Sequence, residues 1–290
     1  MMGWHSQDGH VVRVEWGPSG ARSLCSYAAE LGSAVIAVVV DVLSFTTSVS
    51  VAADMGMSVL PYRWSDDGAD RFAEEQGATL ARPRHVALRE GGISLSPGSI
   101  RAAEGVERIV LPSPNGSTTS AVLAEAGATV VAGSLRNRAA VARWLVDRLA
   151  ASVAPVASVA PVAPGAPGMA PLGAAGPPVM LIVPAGERWP DGSLRPAVED
   201  LWGAGGVIEE VVGLLEHRAG PLLLSPEAAV ALGAWLDVRP RLQQALGDCA
   251  SGRELIGRDY ADDVSIAAEL DSSRAVPVLD PGTGAFRPTP

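Results

Sequence analysis

Lysine is missing altogether: the 22 basic residues are all Arg, set against 32 Asp and Glu, for a net charge of −10. Such a chain lacks the broad positive field that a phosphate backbone requires, which excludes non-specific nucleic-acid binding. A pocket for one small anion needs only a few aimed guanidinium groups and stays open. Cysteine is scarce as well. Cys25 and Cys249 match no metal or redox spacing, so both read as small buried thiols. No long apolar run exists either: the strongest, Ala34–Val40, is too short to span a bilayer and ends at Asp41. Met1–Gly20 carries His, Asp, Arg and Glu throughout, in place of a basic stretch followed by an apolar one. The expectation is a soluble, cytoplasmic protein with no membrane partner. Phe is as rare as Tyr, at three each, while Trp numbers seven. That balance does not assign Trp to core or interface, and monomer and homo-oligomer both stay open.

What is present argues for a folded enzyme-sized chain. Hydrophobic residues make up 48% of 290, enough for one large core or two smaller ones, so wholesale disorder is excluded. One segment breaks the texture. Ala150–Pro178 is almost wholly Ala, Pro, Val and Gly, with seven Pro in 29 residues and no charge. It reads as a flexible or polyproline-like insertion that a surface loop can carry, because closure cost grows only logarithmically with length. It splits one domain into two parts, 11–149 and 179–279.

Outside the insertion, strand-like runs alternate with amphipathic stretches. Ala34–Val40 reads as a strand buried on both faces, then Thr46–Met55 as a helix and Ser58–Tyr62 as a strand. Arg108–Leu111 and Thr129–Ala132 are strand-like, flanking a helical Thr118–Glu125, and Ala139–Leu149 is helical. Beyond the insertion come a strand at Val179–Val183 and helices at Asp200–His217, Glu227–Leu232 and Val238–Leu246, with Arg253–Ile256 opening a short polar segment. This alternation predicts a three-layer α/β/α fold with a largely parallel or mixed sheet. Two units, around Thr46-Thr47-Ser48 and Thr118-Thr119-Ser120, share one plan of strand, turn, helix, Gly, strand. Duplication and chance reuse of a common device explain them equally well.

Several residues suit anion chemistry. Asp41 ends a buried strand, where open α/β sheets place their ligands, and a helix N-terminus follows with Thr46 and Thr47. In the second unit, Asn115 and Ser117 can hydrogen-bond an anion oxygen, with Gly116 giving a tight turn and Thr118 opening the helix. Ordinary turn and helix caps account for each unit alone. Arg84 and Arg89 are candidate clamps for phosphate or sulfonate, or else members of a solvated loop. Glu199-Asp200 at a helix start, and Asp262-Asp263 further on, suit a hard divalent cation such as Mg²⁺ or the helix dipole alone.

Taken in order, these segments resemble the 2-phosphosulfolactate phosphatase family, from about Ala34 to Val278. The family's D-V-L-R-A-T-T is similar to Asp41-Val42-Leu43-Ser44-Phe45-Thr46-Thr47. Its T-N-G-T is similar to Pro114-Asn115-Gly116-Ser117, and G-S-x-x-N to Gly133-Ser134-Leu135-Arg136-Asn137. Its E-D-x-x-x-A-G is similar to Glu199-Asp200-Leu201-Trp202-Gly203-Ala204-Gly205. Ser44 stands where the family has Arg, and Leu95 where it has Asn; Arg84, Arg89 or Arg136 are the replacements at hand. The resemblance implies a Mg²⁺-dependent phosphatase that converts 2-phospho-3-sulfolactate to 3-sulfolactate. On this view Asp41, Arg89 and Asn115 are catalytic, and Asp41, Glu199, Asp200 and Asp263 hold Mg²⁺. Thr46, Thr47, Arg84, Gly116, Ser117, Thr118 and Asn137 bind the small anionic substrate. Leu43 breaks the strand-D-x-D pattern that haloacid-dehalogenase enzymes use for a phosphoaspartate. Two rivals are a homologue that binds such an anion without turning it over, and a phosphatase for a different metabolite.

Overall fold

The structure is a computed structural model that describes residues 5–63, 68–153, 178–216 and 224–289. The chain opens with strand β1 (Val12–Val14) and helix α1 (Gly17–Glu30), two elements the hydropathy pattern does not announce. There follow β2 (Val35–Val40), α2 (Phe45–Asp54), β3 (Ser58–Tyr62), α3 (Gly68–Glu75) and the short β4 (Thr79–Leu80). The Arg-rich stretch forms α4 (Arg84–Glu90) where a loop is one expectation, and α5 (Pro97–Arg101) comes next. Then come β5 (Arg108–Pro112), α6 (Gly116–Glu125), β6 (Thr129–Gly133) and α7 (Arg138–Val153). Helix α7 runs into the expected insertion. The insertion's remaining bulk, residues 154–177, lies outside the described residues, and with it the reading of that stretch as flexible or polyproline-like.

The second part opens with β7 (Val179–Pro184), a small hairpin of β8 (Glu187–Arg188) and β9 (Leu194–Arg195), and α8 (Val198–Glu216). The expected end of that helix at His217 is outside the described residues. Helix α9 (Pro226–Val238) extends well past Leu232, and a 3₁₀ turn at Arg239–Arg241, containing Pro240, separates it from α10 (Leu242–Asp248). Pro cannot continue an α-helix interior, so the expected single helix from Val238 starts late. Arg253–Ile256, expected to open a short polar segment, lies inside α11 (Ala250–Gly257); α12 (Ala261–Ala267), β10 (Val276–Asp280) and β11 (Ala285–Thr289) follow.

The strands form one nine-stranded mixed sheet in the order β1-β7-β2-β6-β10-β11-β3-β5-β4. Strands β1, β7, β2 and β6 pair in parallel, as do β3, β5 and β4. The antiparallel β10–β11 hairpin joins the two blocks. The continuous Val run of β2 serves both faces, as its pattern predicts. Val38 and Val40 join a core with α7, α8 and α9, whereas Ala37 and Val39 join another with α1, α2 and α6. These are the three layers α/β/α. Close helix packing on the first face uses glycine: a Cβ on Gly203 would stand 2.6 Å from Val40 and 2.7 Å from Val42.

The sequence echo is also an architectural one. The units β2-α2-β3 and β5-α6-β6 exchange partners, β2 with β6 and β3 with β5, in matching registers: Val40 faces Gly133 and Tyr62 faces Pro112. Both helices close alike, with Gly56 and Met57 donating to Ala53 and Ala52, and Gly127 and Ala128 donating to Ala124 and Leu123. This two-fold relation brings the N-termini of α2 and α6 together.

Candidate active site

Asp41 leaves the end of β2, 6% exposed, with one carboxylate oxygen accepting the N–H of Phe45 (3.0 Å) and the other that of Gly116 (2.9 Å). Its carboxylate therefore sits at the first turns of α2 and α6 at once, the place where helix N–H groups and dipoles favour negative charge. Gly116 is required here: a Cβ would stand 2.7 Å from Asp41 Oδ2 and clash with the Phe45 ring. Parallel pairing of β2 with β7 sets Val40 beside Pro184. The turn Ala185-Gly186-Glu187 therefore follows β7 at the edge where Asp41 follows β2. Asp200, in the first turn of α8, binds this edge together. It accepts Val42 N–H (2.8 Å) and Gly186 N–H (2.9 Å), linking both strand ends. Glu199 beside it is 2% exposed.

Four acids thus share one corner, and the shifts of Asp41, Glu187 and Asp200 follow from that. Burial pushes Asp41 up to about 6, with the Glu199 charge adding to it and the two helix N–H groups and Arg84 opposing it. Burial, then the charges of Asp41 and Glu199, push Glu187 up to about 7, against a hydrogen bond from Asn115. Asp200 is raised well above the ordinary range by burial, Asp41 and Glu199. The thiol of Cys249 is pushed up to about 12, by burial first and Glu199 second, so it is an inert thiol. Asn115 donates to Glu187 at 2.7 Å, and both line a cavity of about 170 Å³ with Trp16, Ser19, Arg188 and Leu194.

On the α2 side of Asp41, Arg84 Nη2 donates to Ser44 Oγ and to Asp263 Oδ2, each at 3.0 Å. Ser44, the residue that replaces Arg in the family pattern, is thus met by a guanidinium from α4. The other Asp263 oxygen takes Ser96 Oγ at 2.5 Å and Gly98 N at 3.4 Å.

These contacts sort the expected site residues. Asp41, Gly116, Asn115, Glu199 and Asp200 come together, with Arg84 adjacent. Asp263 is buried, and its oxygens accept from Arg84, Ser96 and Gly98, which makes it the anchor of that guanidinium. Arg89 is exposed in the last turn of α4 and makes no hydrogen bond or ion pair with the described residues. Thr46 donates to Asp41 O, Thr47 to Val42 O and Ser117 to Leu111 O, all buried, so these hydroxyls hold the turns. The Thr118 hydroxyl is buried without a partner among the described residues. Asn137 ties Ser134 and Ala132 to Ala275. Arg136 is locked to Asp54, Glu269 and Ser50, and so is not the replacement for the missing Arg.

Glu187 is the residue that motif reading passed over. Its signal was its place in the turn that follows a buried strand, three residues past Pro184. In kind, the cluster suits a hard divalent cation: it offers buried carboxylate oxygens of one sign. Among the described residues no three His, Cys, Asp or Glu side chains converge to hold a metal ion as they stand.

A family model described as 2-phosphosulpholactate phosphatase matches residues 26–160. That stretch, just under half of the chain, is similar to this family. The matched stretch holds Asp41, Arg84, Asn115 and Gly116, while Glu187, Glu199, Asp200 and Asp263 follow it. No curated protein matches the chain. Among the described residues, no helix is long and apolar enough to cross a membrane.

Proposed function

We propose that this protein hydrolyses a small phosphate monoester at the Asp41 cluster, with Mg²⁺ as cofactor. The expected substrate is 2-phospho-3-sulfolactate and the product 3-sulfolactate. One observation carries the reading: the Asp41 carboxylate is fixed by two helix N-termini while Glu187, Glu199 and Asp200 crowd it. The family match over residues 26–160 supports phosphatase chemistry in particular. Asp41, Glu199 and Asp200 would hold the cation, which when bound supplies Lewis-acid polarisation of phosphoryl oxygens.

The chain's own groups do the rest. Backbone N–H donors fix the Asp41 and Asp200 carboxylates at the ends of β2 and β7. Asn115 takes one oxygen of Glu187, and the other holds a proton near neutral pH for the departing alkoxide. Arg84 offers donors to an anionic group on the α2 side.

The test is phosphate release from 2-phospho-3-sulfolactate and a panel of small monoesters, with Mg²⁺ and with chelator. Mg²⁺-dependent release that Asp41→Asn abolishes is the expected result. No release from any ester, including the case of binding without turnover, overturns the reading; so does an unaffected variant.

A further inference from the structure

We propose that Arg84 determines specificity by binding a second anionic substituent of the substrate, a carboxylate or sulfonate, apart from the phosphoryl group. This rests on the phosphate-ester reading above. Its guanidinium is a built feature rather than a surface charge. Asp263, 2% exposed, grips Nη2, and is itself held by Ser96. Ser44 takes Nη2 as well, and the Tyr260 ring lies 5.2 Å beneath Arg84 Cζ. With these contacts the side chain has little rotamer freedom left to lose on binding. Its Nε–H is buried and has no acceptor among the described residues. Nη1 is likewise without an acceptor among the described residues, and 24% of the side chain stays exposed, so a ligand oxygen can reach that edge of the guanidinium and gain a charge-assisted bond.

Position separates this guanidinium from the reacting end. Arg84 reaches Ser44, which precedes α2, whereas Asn115 and Glu187 stand where α6 begins; Asp41 bonds to both helices and lies between. A ligand that touches Arg84 and the Asn115–Glu187 cavity spans Asp41, so it carries polar groups at two places. In this acid-rich corner a second negative group is tolerated only opposite a fixed cation.

Arg84→Lys keeps a charge against Asp263 but loses the fork, and Arg84→Gln loses the charge too. Two measurements apply to folded variants, checked by thermal unfolding. In the first, kcat/KM is compared for 2-phospho-3-sulfolactate and for ethyl phosphate, which has no second anionic group. The preference for the acid-bearing ester falls tenfold or more in Arg84→Lys, through KM. In the second, calorimetry with 3-sulfolactate shows Kd rising tenfold or more. A change below tenfold in either, or no binding of 3-sulfolactate to the parent protein, overturns the proposal. Should no ester turn over at all, the phosphatase reading fails and calorimetry alone decides Arg84. Should Arg84→Gln fail to fold, Arg84→Lys decides it.

Discussion

Replacing Asp41 with Asn separates chemistry from stability, because the two respond in opposite ways. The carboxylate accepts one N–H on each oxygen. An amide keeps one of those bonds and turns its NH₂ toward the other donor, a loss of about 1.5–3 kcal/mol for a bond to a charged acceptor. Against that stands the discomfort of the buried charge. The folded protein holds the Asp41 proton up to about 6 against an ordinary 3.8. The folded state therefore binds the proton more tightly than the unfolded state, so stability is lost as pH rises through that window. Between pH 5 and pH 8 this single group removes about 1.4 kcal/mol from the parent protein, by proton linkage. Asn carries no such term. Relative to the parent, Asp41→Asn gains about 1.4 kcal/mol over that range, or roughly 3–5 °C in Tm for a domain of this size. Relief of Glu187, which Asp41 also pushes up, adds in the same direction. Thermal unfolding of both proteins from pH 5 to pH 8, without divalent cations, measures the difference directly. A constant or shrinking advantage of the variant as pH rises would refute the crowded-carboxylate account. Retained phosphate release would refute the role of Asp41 in the chemistry.

Gly116→Ala drives a methyl into Phe45 and Asp41, and an overpacking cost of about 1–3 kcal/mol is expected, with activity falling alongside; urea unfolding and phosphate release check it. Glu187→Gln removes a group held at about 7 rather than 4.5. Its advantage over the parent therefore grows by up to about 2.5 kcal/mol between pH 5 and pH 8, and any limb of the pH–rate profile near 7 disappears. Arg138 is buried among Glu209, Glu210 and Asp271, with Trp235 5.2 Å away. Truncation to Ala takes the guanidinium from Glu210 and Asp271, while Glu209 keeps Arg239 and Trp235, in a network joining α7, α8 and the approach to β10; the expected cost is about 3 kcal/mol in chemical denaturation, with no effect on substrate preference.

The sheet and its layers were legible because burial leaves a periodic record. A strand buried on both faces has no polar alternation, and β2 and β7 read that way from Val35 and Val179 onward. The helix starts after Asp41 and Asn115 were legible from hydroxyl and turn residues, whose local hydrogen bonds depend on near neighbours alone. The β10–β11 hairpin was not legible: its two strands pair with β6 and β3, and those partners lie far off in the sequence. The short β8–β9 hairpin and α4 escaped for a related reason, since each is held by contacts such as Asn115 to Glu187 and Arg84 to Asp263.

The same division runs through the site. From the sequence, the absence of Lys left Arg as the one permanently cationic side chain to meet an anion, and Asp41 stood out by ending a buried strand. Which acid does what was decided by the tertiary structure. Asp263 went to Arg84, Asp200 to the N–H groups of two strand ends, and Glu187 joined the cluster through a parallel register that only pairing creates. Arg136 and Arg89, equal to Arg84 on paper, were drawn into an ion-pair network and left in solvent. A carboxylate or guanidinium is chemically the same wherever it occurs in a sequence. Its proton affinity and its partners come from burial and neighbours, and those are properties of the folded chain.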